Sequence, residues 1–177
     1  KFKLNFFVDC GAAEGFHIIS LLKKKIFKTA AAFEINKKSR DLLIKNAINN
    51  NVKKKVSVYS EANFDSLKNL GIKNLKKTLF LLDIEGNEFE LFNESFCRYF
   101  SKSFFIIEDH NFLILNKRKT SSFYKMIRKF FKIELIEDNF ESPSDYDILH
   151  DFTEDEKYLM MSEGRPVRMR WIVLLPK

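Results

Sequence analysis

The sequence predicts a doubly wound α/β domain, and three observations support this fold class. Short apolar runs alternate with stretches of helical spacing through the first two thirds of the chain. The runs are nearly continuous in apolar residues, which is typical of central parallel strands that are covered on both faces. Acidic residues stand at or just after the ends of four runs, where ligands bind in sheets of this kind. Right-handed crossovers between the parallel strands are expected.

The predicted strands are short and apolar, and they cover residues 4–8, 30–33, 56–59, 78–82, 104–107, 133–136 and 171–175. Helical spacing predicts helices over residues 16–22, 39–48 and 88–96. The run Thr120 to Ser122 is expected to cap a further helix that carries Phe123 and Ile127. Thr153 and Glu156 form a capping box that predicts a short helix through Met161.

Length and composition predict one globular domain over residues 1–177. The chain is 45% hydrophobic and contains 20 phenylalanines, which is enough apolar material for one core. No apolar run approaches the roughly 20 residues of a membrane span, and the N-terminus lacks a secretory pattern. The two cysteines, Cys10 and Cys97, belong to no metal-spaced cluster, so we expect reduced thiols and a cytoplasmic protein. Because the chain begins with Lys1 and enters a strand at once, we expect that its N-terminus is truncated.

The net charge of +7 and the pI near 9.3 leave two interpretations of the surface open. Lysines cluster at residues 23–25, 53–55 and 76–77, without the interleaved aromatic residues of a single-strand binder. A solvated lysine surface is the favoured interpretation, and a nucleic-acid footprint is the alternative.

Residues 8–15 (VDCGAAEG) connect the first predicted strand to the first predicted helix. A glycine turn before a helix start lets a ligand approach the backbone and its free N–H groups. An ordinary strand-to-helix turn is the alternative interpretation. A dinucleotide-binding turn needs a second glycine where Ala13 stands, and Glu14 would repel a pyrophosphate. Glu34, at the end of the second strand, can accept both hydroxyls of a ribose. An adenosyl cofactor with an amino-acid tail, S-adenosylmethionine, satisfies these observations.

Four segments also resemble motifs of FkbM-like methyltransferases, a branch of the class I S-adenosylmethionine-dependent enzymes. Residues 8–16 resemble the first motif, and residues 33–36 (FEIN) resemble the second. Residues 82–88 (LDIEGNE) are similar to the D-x-E-G-x-E signature, which is the most specific match. Residues 107–110 (IEDH) resemble the E-x-H that ends the fifth strand. The chain departs from the pattern at Ala13, where the family usually has Asn, and at Ile35, where it usually has Pro.

The resemblance implies a Rossmann-like, seven-stranded sheet, mostly parallel, whose last two strands form an antiparallel pair. It also implies methyl transfer to a hydroxyl oxygen of a sugar, glycan or secondary metabolite. The cofactor-binding residues that it implies lie in four segments: Asp9, Gly11, Ala12 and Gly15 for the methionine end, Glu34 for the ribose, Ile35, Glu61 and Ala62 for the adenine, and Asp83 beside them.

Candidate catalytic residues stand at the same edge of the predicted sheet: Asp83, Glu108 and His110, with Glu85 nearby. A hydroxyl acceptor must lose a proton, and histidine titrates in the range that suits a general base. Asp83 and Glu85 alternate along the chain, so we expect them on opposite faces, with Asp83 towards the cofactor. A loop-capping role is the alternative for His110. The carboxylates together with His110 could also hold a divalent cation that acidifies the acceptor hydroxyl, but the spacing demands no metal, and none is assigned.

Residues 139–168 are interpreted as an insertion or lid on the acceptor side, because a long connection in a compact domain is often functional. Two rival functions remain open. A nucleic-acid methyltransferase is supported only by the net charge, and the chain lacks the N/D-P-P-Y/F motif. The other rival is a non-catalytic module that uses a cofactor-binding fold for interaction.

Overall fold

A computed structural model describes residues 3–110, 117–137, 142–161 and 169–177. A seven-stranded sheet forms its centre, with the strand order β3-β2-β1-β4-β5-β7-β6. The strands are β1 (Phe6–Cys10), β2 (Thr29–Phe33), β3 (Val56–Tyr59), β4 (Thr78–Leu82), β5 (Phe104–Glu108), β6 (Phe131–Glu137) and β7 (Arg170–Pro176). The helices are α1 (Phe16–Lys23), α2 (Lys37–Asn49), α3 (Phe64–Lys68), α4 (Glu88–Leu91), α5 (Glu94–Tyr99), α6 (Lys117–Ile127) and α7 (Glu154–Met161).

The first five strands are parallel, and β7 lies antiparallel between β5 and β6. The predicted fold class is therefore confirmed, including the antiparallel pair at the C-terminal end of the chain. The strand order reverses between β1 and β4, because the chain runs from β1 outwards to β3 and then returns to β4. Crevices for ligands lie at the carboxyl ends of the strands next to such a reversal.

Alternating side chains of the strands enter two separate hydrophobic layers, one on each face of the sheet. On β1, Phe7 packs with α1 and α2, whereas Val8 and Cys10 pack on the opposite face. That opposite face is filled by phenylalanines, and the ring centroids of Phe80 and Phe105 are 4.8 Å apart. Burial on both faces explains why the strand sequences are almost continuously apolar.

Three predicted boundaries were wrong. Strand β1 extends to Cys10 because its pairing with β2 and β4 continues that far, so Asp9 lies inside the strand. The predicted helix over residues 88–96 is two helices, because Asn93 accepts a hydrogen bond from the backbone N–H of Phe96 and caps α5. Helix α6 begins at Lys117, so the run Thr120 to Ser122 lies within the helix and does not cap it.

The capping box of α7 is confirmed, since Thr153 Oγ1 accepts from the Glu156 N–H and Glu156 accepts from the Thr153 N–H. In α2 the buried side chains lie on one side of the helix. Leu43 and Ala47 are buried, whereas Leu42 and Ile48 are exposed. Cys10 and Cys97 are buried free thiols. No helix in the described part of the chain is both long and apolar enough to span a membrane.

The close approach of β1 and β4 at their carboxyl ends gives a test of this packing. Gly11 has a φ of +89°, and a Cβ built there would lie 1.8 Å from the Asp83 carbonyl oxygen. We expect Gly11→Ala to lower the free energy of unfolding by about 3 to 5 kcal/mol, because backbone strain adds to a backbone clash.

Gly71→Ala is the matched control, because Gly71 also has a positive φ (+58°) but its Cβ would meet nothing within 4 Å. Its expected loss is about 1 to 2 kcal/mol, from backbone strain alone. Urea unfolding of the two variants measures the difference. Equal losses would contradict the close approach of Gly11 to Asp83.

Candidate active site at the carboxyl edge of the sheet

The turn after β1 is held by hydrogen bonds from both neighbouring strands. The backbone N–H groups of Gly11 and Ala12 both donate to the Phe33 carbonyl oxygen, at 2.9 and 3.0 Å. On the other side, the Asp83 N–H donates to the Cys10 carbonyl oxygen at 2.9 Å. The ends of β1, β2 and β4 are therefore fixed against one another where their loops begin.

Glu34 connects the first turn to the second. Its Oε2 accepts from the Ala13 N–H at 2.9 Å, and its Oε1 accepts from the Asn36 N–H at 2.6 Å. Ala13 has a φ of +43°, so the residue in place of the family's usual Asn adopts a left-handed conformation. The Arg40 guanidinium donates to the carbonyl oxygens of Glu34 and Ile35, which fixes the backbone that follows β2.

Asn46 in α2 supports the first turn from outside the sheet. Its Nδ2 donates to the Glu14 carbonyl oxygen at 3.0 Å, and its own carbonyl oxygen accepts from Asn50 Nδ2. Gly15 follows with a φ of +89°, and a Cβ there would lie 2.8 Å from Leu43 Cγ. The side chain of Asn46 therefore holds the backbone of the turn in place.

A cavity of about 780 Å³ opens at this edge of the sheet, over the carboxyl ends of the strands. Six of the predicted site residues line it: Gly11, Glu34, Ile35, Glu61, Ala62 and Asp83. Ile35 is 77% exposed, so its apolar side chain is free to pack against a ligand. The structure thus brings together residues from four separate segments of the chain.

The other predicted residues lie behind the cavity wall. Asp9 and Ala12 are buried, and Gly15 begins α1. Glu108 and His110, which we predicted to be catalytic, are each only 3% exposed. Of the three residues predicted to be catalytic, only Asp83 lines the cavity, and its side chain is 40% exposed.

The charged residues that line the cavity are all acidic, although the whole chain carries a net charge of +7. They are Glu34, Glu61, Asp83, Glu85 and Glu90. Among the described residues, no lysine or arginine lines this cavity. A cavity that is lined by charges of one sign attracts ligands of opposite charge and repels ligands of the same charge.

His110 lies at the centre of a group of carboxylates beside this cavity. Its Nδ1 is 3.2 Å from Glu88 Oε1. Its Nε2 is 3.7 Å from Asp83 Oδ1, 3.6 Å from Glu85 Oε2 and 3.8 Å from Glu108 Oε2. The hydrogen bond with Glu88 is the main reason that the pKa of His110 is raised.

Asp83 and Glu85 were expected on opposite faces, and this prediction was wrong. Strand β4 ends at Leu82, and Glu85 has a φ of +54°, so the strand alternation does not continue through these residues. Both carboxylates instead approach the same nitrogen of His110.

Three buried side-chain oxygens in the described part of the chain have no hydrogen-bond partner: Asp9 Oδ2, Asp83 Oδ1 and Glu88 Oε2. All three belong to carboxylates at this edge of the sheet. Burial raises the pKa of Asp83 to about 7, and the hydrogen bond and charge of Glu108 contribute to the same shift. Single ligand atoms of Asp83, Glu108 and His110 lie within 4.8 Å of one another. Groups this close can share one proton or hold one small cation.

Sequence reasoning missed Glu88, which is 1% exposed and contacts both His110 Nδ1 and the Ile84 N–H. It was interpreted only as the start of a helix. The signal was present, because Glu88 ends the segment that resembles the D-x-E-G-x-E signature. Asn87 and Asn93 also line the cavity, and neither was predicted to do so.

Arg170 is the first residue of β7. It binds the buried Asp109 carboxylate at 2.5 Å, and Tyr124 Oη donates to the same oxygen at 3.0 Å. Arg165 and Arg168 lie outside the described residues, as do residues 139–141 of the predicted lid. The described part of that segment contains α7 and exposed aromatic side chains, and its role as a lid stays a prediction.

Comparison with solved structures identifies the fold. An O-methyltransferase from Bacillus cereus in complex with SAH has a TM-score of 0.64 at 13% identity, over 97% of this chain and 74% of that chain. The fold is that of class I methyltransferases. A precorrin-6y C5,15-methyltransferase from Geobacter metallireducens is similar with a TM-score of 0.60 at 12% identity, over 100% and 82% of the two chains. An rRNA methylase from Streptococcus thermophilus has a TM-score of 0.59 at 11% identity, over 98% of this chain and 87% of that chain. No family model matches the chain, and no curated protein matches it.

The buried Asp9 carboxyl gives this edge of the sheet a dependence on pH. Burial, and then the charges of Asp83 and Glu34, raise its pKa from 3.8 to about 7. The folded state therefore binds more protons than the unfolded state between these two values. Stability from Asp9 is fully present below pH 3.8 and is lost as the pH rises through about 7. We expect Asp9→Asn to make the free energy of unfolding less dependent on pH in this window, by at most about 1.4 kcal/mol per pH unit.

Asp151→Asn, at an exposed position, is the control and should leave the pH dependence as it is in the parent protein. Urea unfolding at intervals between pH 4 and 8 measures both slopes. If Asp9→Asn and the parent protein have the same slope, Asp9 does not bind a proton in the folded state as described.

Proposed function

We propose that the protein is an S-adenosylmethionine-dependent methyltransferase that methylates a hydroxyl oxygen of a sugar, glycan or secondary metabolite. The observation that carries this proposal is the cavity at the carboxyl ends of β1, β2 and β4. Its charged lining residues are five carboxylates, in a protein whose net charge is +7. The FkbM-like branch remains part of the proposal, supported by the motifs in the sequence and by the position of their residues around the cavity.

The cavity suits S-adenosylmethionine in its contacts. The Glu34 carboxylate accepts one N–H with each oxygen, and a carboxylate offers about four lone-pair sites, so two remain for ribose hydroxyls. Gly11 lines the cavity without a side chain, and a Cβ there would lie 1.8 Å from the Asp83 carbonyl oxygen. Ile35 offers an apolar surface to the adenine.

Charge separates this cofactor from a nicotinamide dinucleotide. S-adenosylmethionine carries a sulfonium and an ammonium group against one carboxylate, so its net charge is positive. A dinucleotide brings a negative pyrophosphate towards five carboxylates, which raises its binding free energy. The sequence also disfavours a dinucleotide, because Ala13 occupies the place of the second glycine of a dinucleotide turn.

When bound, S-adenosylmethionine supplies an electrophilic methyl group on a positively charged sulfur. The protein must then align an acceptor oxygen and take its proton. Asp83 is suited to this task because its carboxylate reaches the cavity and its pKa is raised to about 7 by burial and by Glu108. We assign Asp83 as the general base, with Glu108 and His110 behind it to share the proton.

The same charges argue against a nucleic-acid acceptor. The phosphates of a bound strand would approach the carboxylates of Asp83 and Glu85 at the cavity mouth, at a cost in electrostatic energy. The lysine clusters at residues 23–25, 53–55 and 76–77 do not line the cavity, so they do not offset that repulsion there. A non-catalytic binding module would retain the cavity but would have no use for a base of raised pKa.

Binding of the cofactor tests the proposal. We expect calorimetry to show micromolar binding of S-adenosylmethionine and S-adenosylhomocysteine and none of NAD. Glu34→Gln should weaken S-adenosylmethionine binding at least tenfold, which corresponds to about 1.4 kcal/mol, because one amide oxygen replaces two carboxylate oxygens. Glu94→Gln makes the same chemical change at an exposed ion pair on α5 and is the control, with affinity unchanged.

Two results would contradict the proposal. One is the absence of binding of either sulfur compound to the folded protein. The other is equal affinity in Glu34→Gln and Glu94→Gln, which would place the cofactor away from Glu34.

A further inference from the structure

The side chain of Glu88 is almost completely buried, and one of its carboxylate oxygens contacts two nitrogen atoms. It stands at the first position of α4 and is 1% exposed. Its Oε1 accepts from the Ile84 N–H at 2.8 Å and lies 3.2 Å from His110 Nδ1. Its Oε2 has no hydrogen-bond partner. Burying such a group costs stability unless its charge is paired and hydrogen-bonded.

The contact with Glu88 decides which nitrogen of His110 carries a proton. An ionised carboxylate only accepts hydrogen bonds, so Nδ1 must be the donor. In the neutral imidazole the lone pair then lies on Nε2. The partner of one ring nitrogen thus determines what the other nitrogen can do.

Nε2 faces the cavity side of the site. Asp83 and Glu85 approach it from the loop after β4, and Glu108 approaches it from β5, all at 3.6 to 3.8 Å. The remaining acid nearby, Asp109, is bound by Arg170 and Tyr124 and so has its own partners. His110 is therefore a cation-forming group between Glu88 on one side and three carboxylates on the other.

We propose that Glu88 is a positioning residue that holds His110 through Nδ1, so that Nε2 is presented to the Asp83–Glu108 pair and stabilises the proton that this pair shares. This inference rests on the proposed function, because it concerns the fate of the acceptor's proton. In the methyl transfer, the acceptor oxygen forms its bond to carbon, the bond from carbon to sulfur breaks towards sulfur, and the acceptor's proton passes to Asp83. The lone pair of His110 Nε2 can then accept that proton from the pair, and the charges of Glu88, Asp83 and Glu108 stabilise the imidazolium that forms.

A purely structural role for Glu88 makes a different prediction. To fix the turn after β4, Glu88 needs only one oxygen for the Ile84 N–H. A glutamine retains such an oxygen, so a structural role survives Glu88→Gln. A positioning role does not survive unchanged, because the negative charge beside Nδ1 is lost.

Nitrogen-15 NMR of histidine-labelled protein tests the inference without an acceptor. The chain has three histidines, and His110→Gln identifies the signals of His110. In the parent protein we expect neutral His110 to carry its proton on Nδ1 and to titrate above the ordinary value of about 6.5. In Glu88→Gln the titration midpoint should fall towards that ordinary value, while in Glu94→Gln it should stay where it is in the parent.

Three results would overturn the inference. One is a parent protein in which neutral His110 carries its proton on Nε2, a measurement that needs no variant at position 88. Another is a midpoint in Glu88→Gln equal to that of the parent, in a variant whose backbone spectrum shows the native fold. The third is strong broadening of the His110 signals by micromolar Mn²⁺, reversed by EDTA, because a cation would then occupy the place of the shared proton.

The affinity for S-adenosylmethionine separates this inference from the proposed function. Glu88 does not line the cavity among the described residues, so Glu88→Gln should bind the cofactor within threefold of the parent. If Glu88→Gln binds the cofactor and its His110 has the same titration midpoint as in the parent, only the proposed role of Glu88 is overturned. If the His110 titration is as predicted but the parent protein binds no cofactor, the proposed function is overturned. The contact between Glu88 and His110 then has no role in catalysis.

Discussion

The site depends on the clamping of the carboxyl end of β1 between β2 and β4. The Phe33 carbonyl oxygen accepts two N–H groups from the first turn, and the Cys10 carbonyl oxygen accepts one from Asp83. Because the strands are parallel and in register, three loops begin at one edge and their acids converge there. Only glycine fits at position 11, since a side chain would enter the Asp83 backbone. The same contacts that fix the fold therefore place Glu34 and Asp83 around one cavity.

Convergence of acids is electrostatically unfavourable, and the structure shows three ways in which it is offset. Backbone N–H groups satisfy both oxygens of Glu34. Burial raises the pKa values of both Asp9 and Asp83 to about 7, so these carboxyls hold protons at pH values at which exposed carboxyls are charged. His110 lies among the remaining carboxylates as a group that can become positive. A positively charged cofactor would add a fourth means, and this complementarity links the stability of the site to its proposed function.

The pattern of the sequence predicted the sheet and the edge at which the cavity lies, because both follow from short-range rules. Ile35, Glu61 and Ala62 were expected at the cavity only from the resemblance to FkbM-like enzymes. Nearly continuous apolar runs located the strands, and acids at their ends located the edge at which Glu34 and Asp83 meet. Sequence spacing could not predict that Asp83 and Glu85 approach the same nitrogen, since the left-handed backbone at Glu85 ends the strand alternation. Nor could it identify Glu88 as a partner of His110, because that contact joins residues 22 positions apart across two elements. Contacts of this kind depend on where the start of α4 lies relative to the segment after β5, which local propensity does not determine.

The central claim is that the cavity holds the cofactor with its sulfur towards Asp83. A crystal structure of the protein with S-adenosylhomocysteine tests it most directly. We expect ribose hydroxyls at hydrogen-bond distance, about 2.6 to 3.2 Å, from the Glu34 carboxylate, with the adenine against Ile35 and the sulfur on the Asp83 side. A nucleoside bound away from Glu34, or a sulfur that points away from Asp83, would contradict it.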